Sequence, residues 1–398
     1  MDQFLKSSKT SIRKQGKPVT LKGVNLGGWL MPEAYLVHAP SVGVWQFRKN
    51  FEKKHGRKKL DVLEDAFRRN WVKESDIQNI RRLGFNCIRV PFHYRLIETA
   101  PYRYSPQGVL WLDRVIQWAK KAGLWTILDF HGAPGSQNLD WHSDSAGKAL
   151  LWTRKDFQRR SRALWEFLAD RYKDEPSIAG YDLLNEAVLK DTRLLNSFYR
   201  ELIQGIRLVD KNHLLFIEGN TWATNLDCLE EFDDDNYCYS IHSYEPMAFT
   251  FNFDVTLRYP YQLKDKFSNF QTSRRHLGQY QKIAEKRKVP VYVGEFGVNY
   301  RFGSGGEDRY LQDVLKLFDQ FGFHWTYWTY KAVKNAYFPD GLYGYYDNPP
   351  WVNRSGPLTG WDTWHLHWEK RKEEMVHSWQ TEQFKPNAAV IKVLKNAL

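Results

Sequence analysis

Two short stretches of the chain each place a glutamate where an apolar, strand-like run stops. In "YDLLNEAV" (181–188) the run ends in Asn185 and Glu186, and in "VPVYVGEFG" (289–297) it ends in Glu295. Two carboxylates in one cleft are the groups that cleavage of a glycosidic bond requires. One protonates the leaving oxygen, and the other attacks the anomeric carbon or activates water. We therefore interpret the two glutamates as halves of one catalytic site.

Such a pair works only if the site holds its two carboxyls in different protonation states. With Glu186 as the acid, we expect burial and the neighbouring carboxylate to raise its pKa. With Glu295 as the nucleophile, we expect Arg89 and the Tyr244 hydroxyl to keep it ionised. We also expect the two carboxyl groups to lie about 5 to 5.5 Å apart, the separation of retaining enzymes.

Eight β-rich runs alternate with amphipathic helices along the chain. The candidate strands are 19–26, 85–90, 124–130, 178–184, 213–219, 237–243, 289–295 and 323–329. Between them, apolar residues recur at helical spacing, as in Leu112, Val115 and Ile116, with Gly123 as a helix stop. This alternation predicts an α/β protein with a closed (β/α)₈ TIM barrel. An open doubly wound sheet is the alternative, but no GxGxxG follows the first strand.

Catalytic groups of such a barrel lie at the carboxyl ends of its strands. Six of the eight predicted strands end in polar or aromatic residues: Arg89, His131, Asn185 with Glu186, His242 with Tyr244, Glu295, and Trp328. A lone histidine at a strand end is more often structural than catalytic. Six strand ends that converge in this way favour an active site.

The chain exceeds the about 250 residues that a bare barrel needs. The surplus lies in three regions: 31–71, 244–275 and 330–384. The last is rich in aromatic residues, proline and glycine, and it follows the eighth strand without a linker. We interpret it as a loop system packed on the barrel, so that residues 1–398 form a single catalytic domain with long loops at the carboxyl ends of the strands. We expect Trp351 or Trp361 to lie near the cleft and narrow it.

Composition limits the other classes of function. Aromatic residues make up 16% of the chain, with 17 Trp, and some should line a binding surface. Both sugars and nucleobases stack on indole rings. The net charge is +12, but 49–59 is the only dense basic run and no nucleic-acid-binding signature accompanies it. We therefore expect no nucleic-acid partner.

The three cysteines show no metal-ligand spacing, and we expect neither a metal nor another cofactor. The first residues contain no apolar signal region, and the chain has no run of about 18 apolar residues. These features predict a cytoplasmic protein with no membrane contact. They do not predict an oligomeric state.

The constellation resembles glycoside hydrolase family 5, a family of (β/α)₈ retaining glycosidases, over roughly residues 17–330. The resemblance implies that Glu186, after Asn185, is the acid/base, and that Glu295 in "VGEFG" is the nucleophile. It implies substrate-binding roles for Arg89 in "FNCIRVP", His131 in "LDFHGAPGSQN", Asn185, His242 and Tyr244 in "IHSYEP", and Trp328. Trp328 would form the floor of the subsite that holds the cleaved sugar.

Three stretches look most like the exo-β-1,3-glucanases: "GVNLGGWLMPE", "NWVKESDIQNIRRLGFNCIRVPFHYRLIE" and "HGAPGSQN". Long loops could also close one end of the cleft. We therefore predict a retaining exo-β-glucanase or β-glucosidase that acts on a β-linked oligosaccharide or glycoside. An endo-β-1,4-glucanase or β-mannanase with an open cleft is the alternative among enzymes. A sugar-binding protein that has lost catalysis is the alternative from another class.

Four further residues are candidates for substrate contact. Glu33 follows the first strand and could touch a sugar hydroxyl. Trp141 is either a stacking platform or a core residue. His142 and Asp144 lie on a loop above the site, where they either bind the hydroxyls of a non-reducing end or are solvated.

Overall fold

Eight parallel strands close into a barrel, with each strand paired to the next in sequence and the last paired to the first. The computed structural model describes residues 3–37, 43–263, 266–345 and 364–398. The barrel strands are Lys22–Asn25, Cys87–His93, Trp125–Gly132, Ile178–Asp182, Leu214–Glu218, Tyr237–His242, Val291–Phe296 and His324–Tyr327. Each lies within or next to a predicted run, and the predicted (β/α)₈ barrel is confirmed.

Helices connect successive strands around the outside of the barrel. They are Glu74–Leu83, Pro106–Ala122, Lys155–Tyr172, Thr192–Val209, Phe270–Arg287, Glu307–Phe321 and, after the eighth strand, Ala388–Asn396. Between the fifth and sixth strands, the chain forms only a single turn, Asn220–Ala223.

The helix that follows the second strand shows how sequence sets these boundaries. Ser105 caps it, because the hydroxyl accepts a hydrogen bond from the Gly108 N–H at 3.2 Å. Leu112 and Val115 are fully buried on one face, as the helical spacing predicted. Gly123 ends the helix with a φ of 69°, in the left-handed region that glycine adopts at low cost.

A three-stranded antiparallel sheet covers the amino-terminal end of the barrel. Its strands, Leu5–Ser8, Ser11–Lys14 and Lys17–Val19, fall largely outside the predicted runs. Leu5 and Ile12 are buried against residues near the start of barrel strands, including Cys87. The sheet closes this end with apolar contacts, so that the carboxyl ends of the strands form the face available for a ligand.

The surplus regions, which we predicted to be loops, contain helices. Residues 31–71 include the helices Val44–His55 and Arg57–Trp71, and residues 330–384 include the helix Trp364–Ser378. The remaining short elements are Ala34–Val37, Tyr94–Ile97, Glu98–Ala100, Arg103–Tyr104, Trp141–Ser143, Leu150–Trp152, Met247–Thr250, Tyr261–Leu263, Lys266–Ser268, Lys331–Val333, Tyr343–Tyr345, Thr381–Gln383 and Lys385–Pro386.

The helix Trp364–Ser378 packs on the two helices of the first surplus region. The Trp364 ring lies 6.0 Å from Phe47 and 6.1 Å from Phe67, measured between ring centroids. These contacts support our proposal that the chain is one domain. Trp351 and Trp361 lie outside the described residues. In the part of the chain that the structure describes, no helix is both long enough and apolar enough to cross a membrane.

Candidate active site

A cavity of about 430 Å³ opens at the carboxyl ends of the barrel strands. This volume lies within the range of ligand-binding pockets. Nine of the residues predicted from the sequence line it: Glu33, His131, Trp141, His142, Glu186, His242, Tyr244, Glu295 and Trp328. They come from the ends of six different strands, so the barrel brings together side chains that are distant in sequence.

The two predicted catalytic glutamates face each other across a histidine. One carboxylate oxygen of Glu186 lies within 4.8 Å of one of Glu295. The Nδ1 atom of His242 lies 2.6 Å from Glu186 Oε1 and 3.6 Å from Glu295 Oε2. Both glutamates are buried, with 9% and 5% of their surface exposed. The pair is therefore close enough for both carboxyls to act on one anomeric centre.

The loop after the third strand fixes the backbone that carries Glu186. Glu186 has a φ of 48°, in the left-handed region that few non-glycine residues adopt. Its carbonyl accepts a hydrogen bond from Asn138 Nδ2 at 2.9 Å, and its N–H donates to Glu218 Oε2 at 2.6 Å. Gln137 Nε2 donates to the Asn185 carbonyl at 2.9 Å. Surrounding side chains thus hold a backbone conformation that turns Glu186 into the cavity.

Arg89 lies beneath Glu295 and is fully buried. Its guanidinium donates to Glu295 Oε1 at 2.8 Å, to Asp182 Oδ2 at 2.9 Å and to Asn185 Oδ1 at 2.9 Å. The Tyr244 hydroxyl donates to the other Glu295 oxygen at 2.8 Å. Arg89 does not line the cavity, so the predicted substrate contact was wrong for this residue. It orients the ends of the fourth and seventh strands instead, because one planar fork binds groups on both.

Asn185 is also fully buried and keeps one unused donor. Its Oδ1 accepts from Arg89, whereas its Nδ2 has no hydrogen-bond partner among the described residues. A buried amide donor without a partner is costly. Asn185 does not itself line the cavity, and its unpaired donor lies next to Glu186.

Asp144 lies outside the cavity, which corrects its predicted role as a sugar contact. Its carboxylate forms an ion pair with Arg95 and accepts a hydrogen bond from the Trp45 N–H at 2.6 Å. Its side chain is almost fully buried. Asp144 thereby fastens the loop after the third strand to the helix Val44–His55.

The glycosyl hydrolase family 5 cellulase profile matches residues 54–334 of the chain. The chain belongs to glycoside hydrolase family 5. It is accordingly an O-glycosyl hydrolase, and the family resemblance drawn from its motifs is confirmed.

Its relatives are named for different activities. It is 35% identical over 350 residues to a β-xylosidase of Phanerodontia chrysosporium, covering 83% of this chain and 71% of that protein. It is 29% identical to endoglucanase C of Acetivibrio thermocellus, covering 78% and 91%. It is 27% identical to a probable glucan 1,3-beta-glucosidase A of Aspergillus fumigatus, covering 51% of each. The structure of endoglucanase Cel5A from Thermotoga maritima superposes with a TM-score of 0.61 at 20% identity, covering 81% and 92%, and shares the fold.

Two histidines surround the Glu186 carboxylate of this family 5 hydrolase. His142 Nε2 lies 2.9 Å from Oε2, and His242 Nδ1 lies 2.6 Å from Oε1. Burial raises the pKa of Glu186, but the hydrogen bonds from His142 and His242 outweigh burial and hold that pKa well below its usual range. Burial raises the pKa of Glu295, and the charges of His242 and Arg89 oppose that rise.

The direction for Glu186 is the reverse of that expected from the sequence. The expectation for Glu186 was wrong for the ligand-free site, because it left out both histidines as hydrogen-bond donors to this carboxylate. Burial lowers the pKa of His142, and Glu186 reverses that effect and raises it. The pKa of His242 is also raised, since the charges of Glu295 and Glu218 outweigh its burial. Together these shifts favour a carboxylate over a carboxylic acid at Glu186 in the ligand-free site.

Acidic side chains outnumber basic ones beneath the cavity. Asp129 and Asp182 pair with Arg89 at 3.2 and 2.9 Å. Burial lowers the pKa of His131, but Asp129 and Glu33 raise it more, to about 10. His131 is therefore a cation at neutral pH, and its charge offsets part of this negative charge.

Aromatic rings form one side of the cavity. The Trp328 ring stacks on His131, with centroids 5.6 Å apart and an angle of 6° between the planes. The Trp328 Nε1–H donates to the Tyr35 hydroxyl. Tyr35 contacts Trp141 and Phe338, whose own rings lie 5.9 Å apart. Sequence reasoning missed Tyr35 and Phe338; the position of Tyr35 two residues after Glu33 is a signal that could have identified it.

Two groups of three side chains have spacings that a metal ion could use among the described residues. In the first, Glu186 and Glu295 flank His242, whose raised pKa disfavours the neutral imidazole that a metal needs. In the second, Asp129, Asp182 and Glu218 surround the Arg89 guanidinium. A fixed cation at that position repels a metal ion.

We therefore expect chelator treatment to leave activity unchanged. Hydrolysis of an aryl β-glycoside should proceed at the same rate before and after dialysis against EDTA. Added Zn²⁺ or Ca²⁺ should not increase it, because both groups of donors are already paired. Loss of activity in EDTA that one of these ions restores would contradict this interpretation of the site.

Proposed function

We propose that this family 5 enzyme is a retaining, exo-acting β-glycosidase of the glucosidase type. The observation that carries the proposal is the short separation of Glu186 and Glu295, whose oxygens approach within 4.8 Å. Retaining glycosidases place their carboxyl groups about 5 to 5.5 Å apart, whereas inverting enzymes leave about 6.5 to 9.5 Å for a water molecule. The observed separation is that of the retaining class and falls short of the wider gap of inverting enzymes.

In the first step, Glu295 attacks the anomeric carbon and Glu186 protonates the leaving oxygen. Arg89 and Tyr244 each hold one oxygen of Glu295, which fixes its orientation for attack. Glu186 receives its proton from His142 or His242, both within hydrogen-bond distance. Transfer along either bond converts the carboxylate into the acid that a poor leaving group needs.

In the second step, water cleaves the ester bond between the sugar and Glu295. Glu186 has given its proton to the leaving group, so it returns as a carboxylate and takes a proton from the attacking water. The two histidines that donate to Glu186 hold its oxygens in place between the steps. One residue therefore serves as acid and then as base.

The other contacts hold the sugar. We assign the free Asn185 amide donor to the sugar 2-hydroxyl, a contact that strengthens in the transition state. Trp328 supplies the ring face for the cleaved sugar, and Glu33 and His131 lie 3.2 Å apart beside it. Charged groups at this position bind hydroxyls more strongly than neutral ones.

Exo action is favoured by the ring cluster on one side of the cavity. Tyr35, Trp141 and Phe338 come from the loops after the first, third and eighth strands, and each ring contacts the other two. They form a wall behind Trp328 that a continuing polysaccharide chain would have to displace. The resemblance to a β-xylosidase fits a closed pocket, and the resemblance to an endoglucanase keeps the open cleft as the second candidate.

Product analysis tests both parts of the proposal. With p-nitrophenyl β-glucoside and β-xyloside, we expect proton NMR to detect the β-anomer of the free sugar first. With cellopentaose and laminaripentaose, we expect the monosaccharide as the only small product at early times. An α-anomer as first product would overturn the retaining mechanism. Cleavage in the middle of a pentasaccharide would replace exo action by the endoglucanase alternative.

A further inference from the structure

An apolar wall leads from the catalytic centre to the solvent. It consists of Met247, Phe251, Phe253, Tyr337 and Phe338. Phe251 packs on Tyr244, the residue that binds Glu295, with ring centroids 4.9 Å apart. Phe253 lies 5.4 Å from Phe251, and Tyr337 lies 6.1 Å from Phe253. The wall is thus a continuous row of side chains that begins at the reacting groups.

Its outer members are unusually exposed for large apolar residues. Phe253 is 52% exposed, Tyr337 50% and Met247 41%. A contiguous apolar surface in water is a feature of binding sites, because it gains stability when a ligand covers it. Met247, Phe251, Phe253 and Phe338 also line the cavity itself. The exposed row and the active site are one surface.

The position of the wall in the barrel identifies the part of the substrate that it meets. Glu186, which protonates the leaving group, ends the fourth strand, and Met247, Phe251 and Phe253 lie on the loop after the sixth. The groups assigned to the sugar, Glu33 and Trp328, lie on the loops of the first and eighth strands. The leaving group lies beside its acid, so the part of the wall on the loop after the sixth strand is on the aglycone side. Tyr337 and Phe338, on the loop after the eighth strand, join it to the sugar side.

The ring orientations favour an apolar aglycone over a further sugar, since no two neighbouring rings of the wall form one flat platform. Phe251 and Phe253 are inclined at 76°, Phe253 and Phe338 at 84°, and Phe251 and Phe338 at 64°. Steeply inclined rings present alternating edges and faces, whereas a pyranose stacks on one flat face. Polar lining residues of the mouth, among them Asp140, lie beside Trp222, and Asp140 already accepts the Trp222 indole N–H at 2.8 Å.

We propose that the natural substrate carries an alkyl or aryl aglycone, which lies along the apolar wall. This inference rests on the proposed glycosidase function. It places the enzyme among hydrolases of glycosides of hydrophobic alcohols, rather than of polysaccharides. The bond cleaved and the fate of the proton are unchanged: the released alcohol takes the proton from Glu186.

Binding tests the wall independently of catalysis. Octyl and methyl β-thioglycosides of glucose and xylose, which resist hydrolysis, are titrated by calorimetry below the micelle concentration. Each buried methylene strengthens binding roughly fourfold, so burial of about three gives roughly 60-fold tighter binding of the octyl compound. A thioglycoside with a triethylene glycol ether of similar length should bind like the methyl compound. Equal dissociation constants for octyl and methyl, or for octyl and the ether, would overturn the proposal.

Substitutions locate the effect. Phe253→Ser should reduce the octyl preference at least fivefold and leave binding of the methyl compound within twofold. The matched control is Phe267→Ser, because Phe267 is 51% exposed but does not line the cavity. An unchanged octyl preference in the double variant Met247→Ser, Phe253→Ser would reject the wall as the site.

Hydrolysis separates the two hypotheses. The methyl and octyl O-glycosides have leaving groups of the same reactivity. The ratio of their kcat/KM values should therefore follow the ratio of the dissociation constants of the two thioglycosides. The difference should appear in KM. If the protein binds the octyl thioglycoside preferentially but hydrolyses no aryl β-glycoside, the proposed glycosidase function is wrong and the apolar binding site stands. If the protein hydrolyses both O-glycosides equally well, only the aglycone proposal is wrong.

Discussion

Replacing Glu295 by alanine is expected to abolish hydrolysis of activated aryl glycosides and of alkyl glycosides alike. Both require the covalent bond that only Glu295 can form. The expected loss in kcat is on the order of 10⁴-fold or more, roughly 5.4 kcal/mol of barrier. It is measured with p-nitrophenyl and methyl β-glycosides under the same conditions. The change also removes the carboxylate that pairs with Arg89 at 2.8 Å, so the melting temperature must be measured with it.

Glu295→Gln and Glu245→Ala are the matched controls for this result. The glutamine keeps the shape of the side chain and should be as inactive as alanine while melting closer to the wild type. Glu245 lines the same cavity but is exposed, and its replacement should change kcat less than fivefold. Added azide should react directly with an activated substrate in Glu295→Ala and give the α-glycosyl azide. A loss of only about tenfold, roughly 1.4 kcal/mol, would exclude Glu295 as the nucleophile.

The barrel and its convergent strand ends were predictable because they depend on local pattern. Apolar runs such as Ile178–Asp182 are buried over their whole length in a parallel sheet, and they end where polar residues begin. The same rule placed Glu186 and Glu295 at one face before any distance was available. The amino-terminal sheet escaped prediction, since strands such as Ser11–Lys14 are four residues long, polar and shorter than a reliable alternation.

The chemistry of the site depended on contacts that no local pattern contains. Asp144 and His142 are two residues apart on one loop, yet one carboxylate faces Arg95 and the other side chain faces Glu186. Sequence spacing gave both the same interpretation. Likewise, Arg89 lies near the end of a predicted strand, as a sugar-binding residue would, but its guanidinium is enclosed by carboxylates. Tertiary packing sets the direction of side chains at strand ends. It thereby also sets the protonation of the catalytic pair.

The apolar wall illustrates the same limit in the surplus regions. Phe253 and Phe338 are 85 positions apart, in two loops whose lengths alone predicted a narrower cleft. Their contact shows that the loops after the sixth and eighth strands meet over the cavity. The lengths of the loops predicted that they would lie above the barrel. That their inner surface is apolar could be recognised only from the side-chain contacts in the structure.

Replacing Glu186 by alanine is expected to give a loss that depends on the leaving group. Methyl and octyl glycosides release an alkoxide unless it is protonated, so kcat/KM for them should fall by about 10²- to 10⁴-fold. p-Nitrophenolate leaves without protonation, so the first step should slow far less for p-nitrophenyl glycosides. The second step should then become limiting, because no base activates water. Stopped-flow measurement of p-nitrophenol should show a burst that equals the enzyme concentration.

Azide separates the roles of the two glutamates in this variant. It is a nucleophile that needs no base, and it fits the space left by the Glu186 side chain between His142 and His242. It should raise steady-state turnover of the p-nitrophenyl substrate and give the β-glycosyl azide, since it attacks the ester to Glu295. Glu186→Gln is the control: it keeps the volume and should show the burst with weaker rescue. An α-azide from Glu186→Ala together with a β-azide from Glu295→Ala would mean that acid and nucleophile are exchanged.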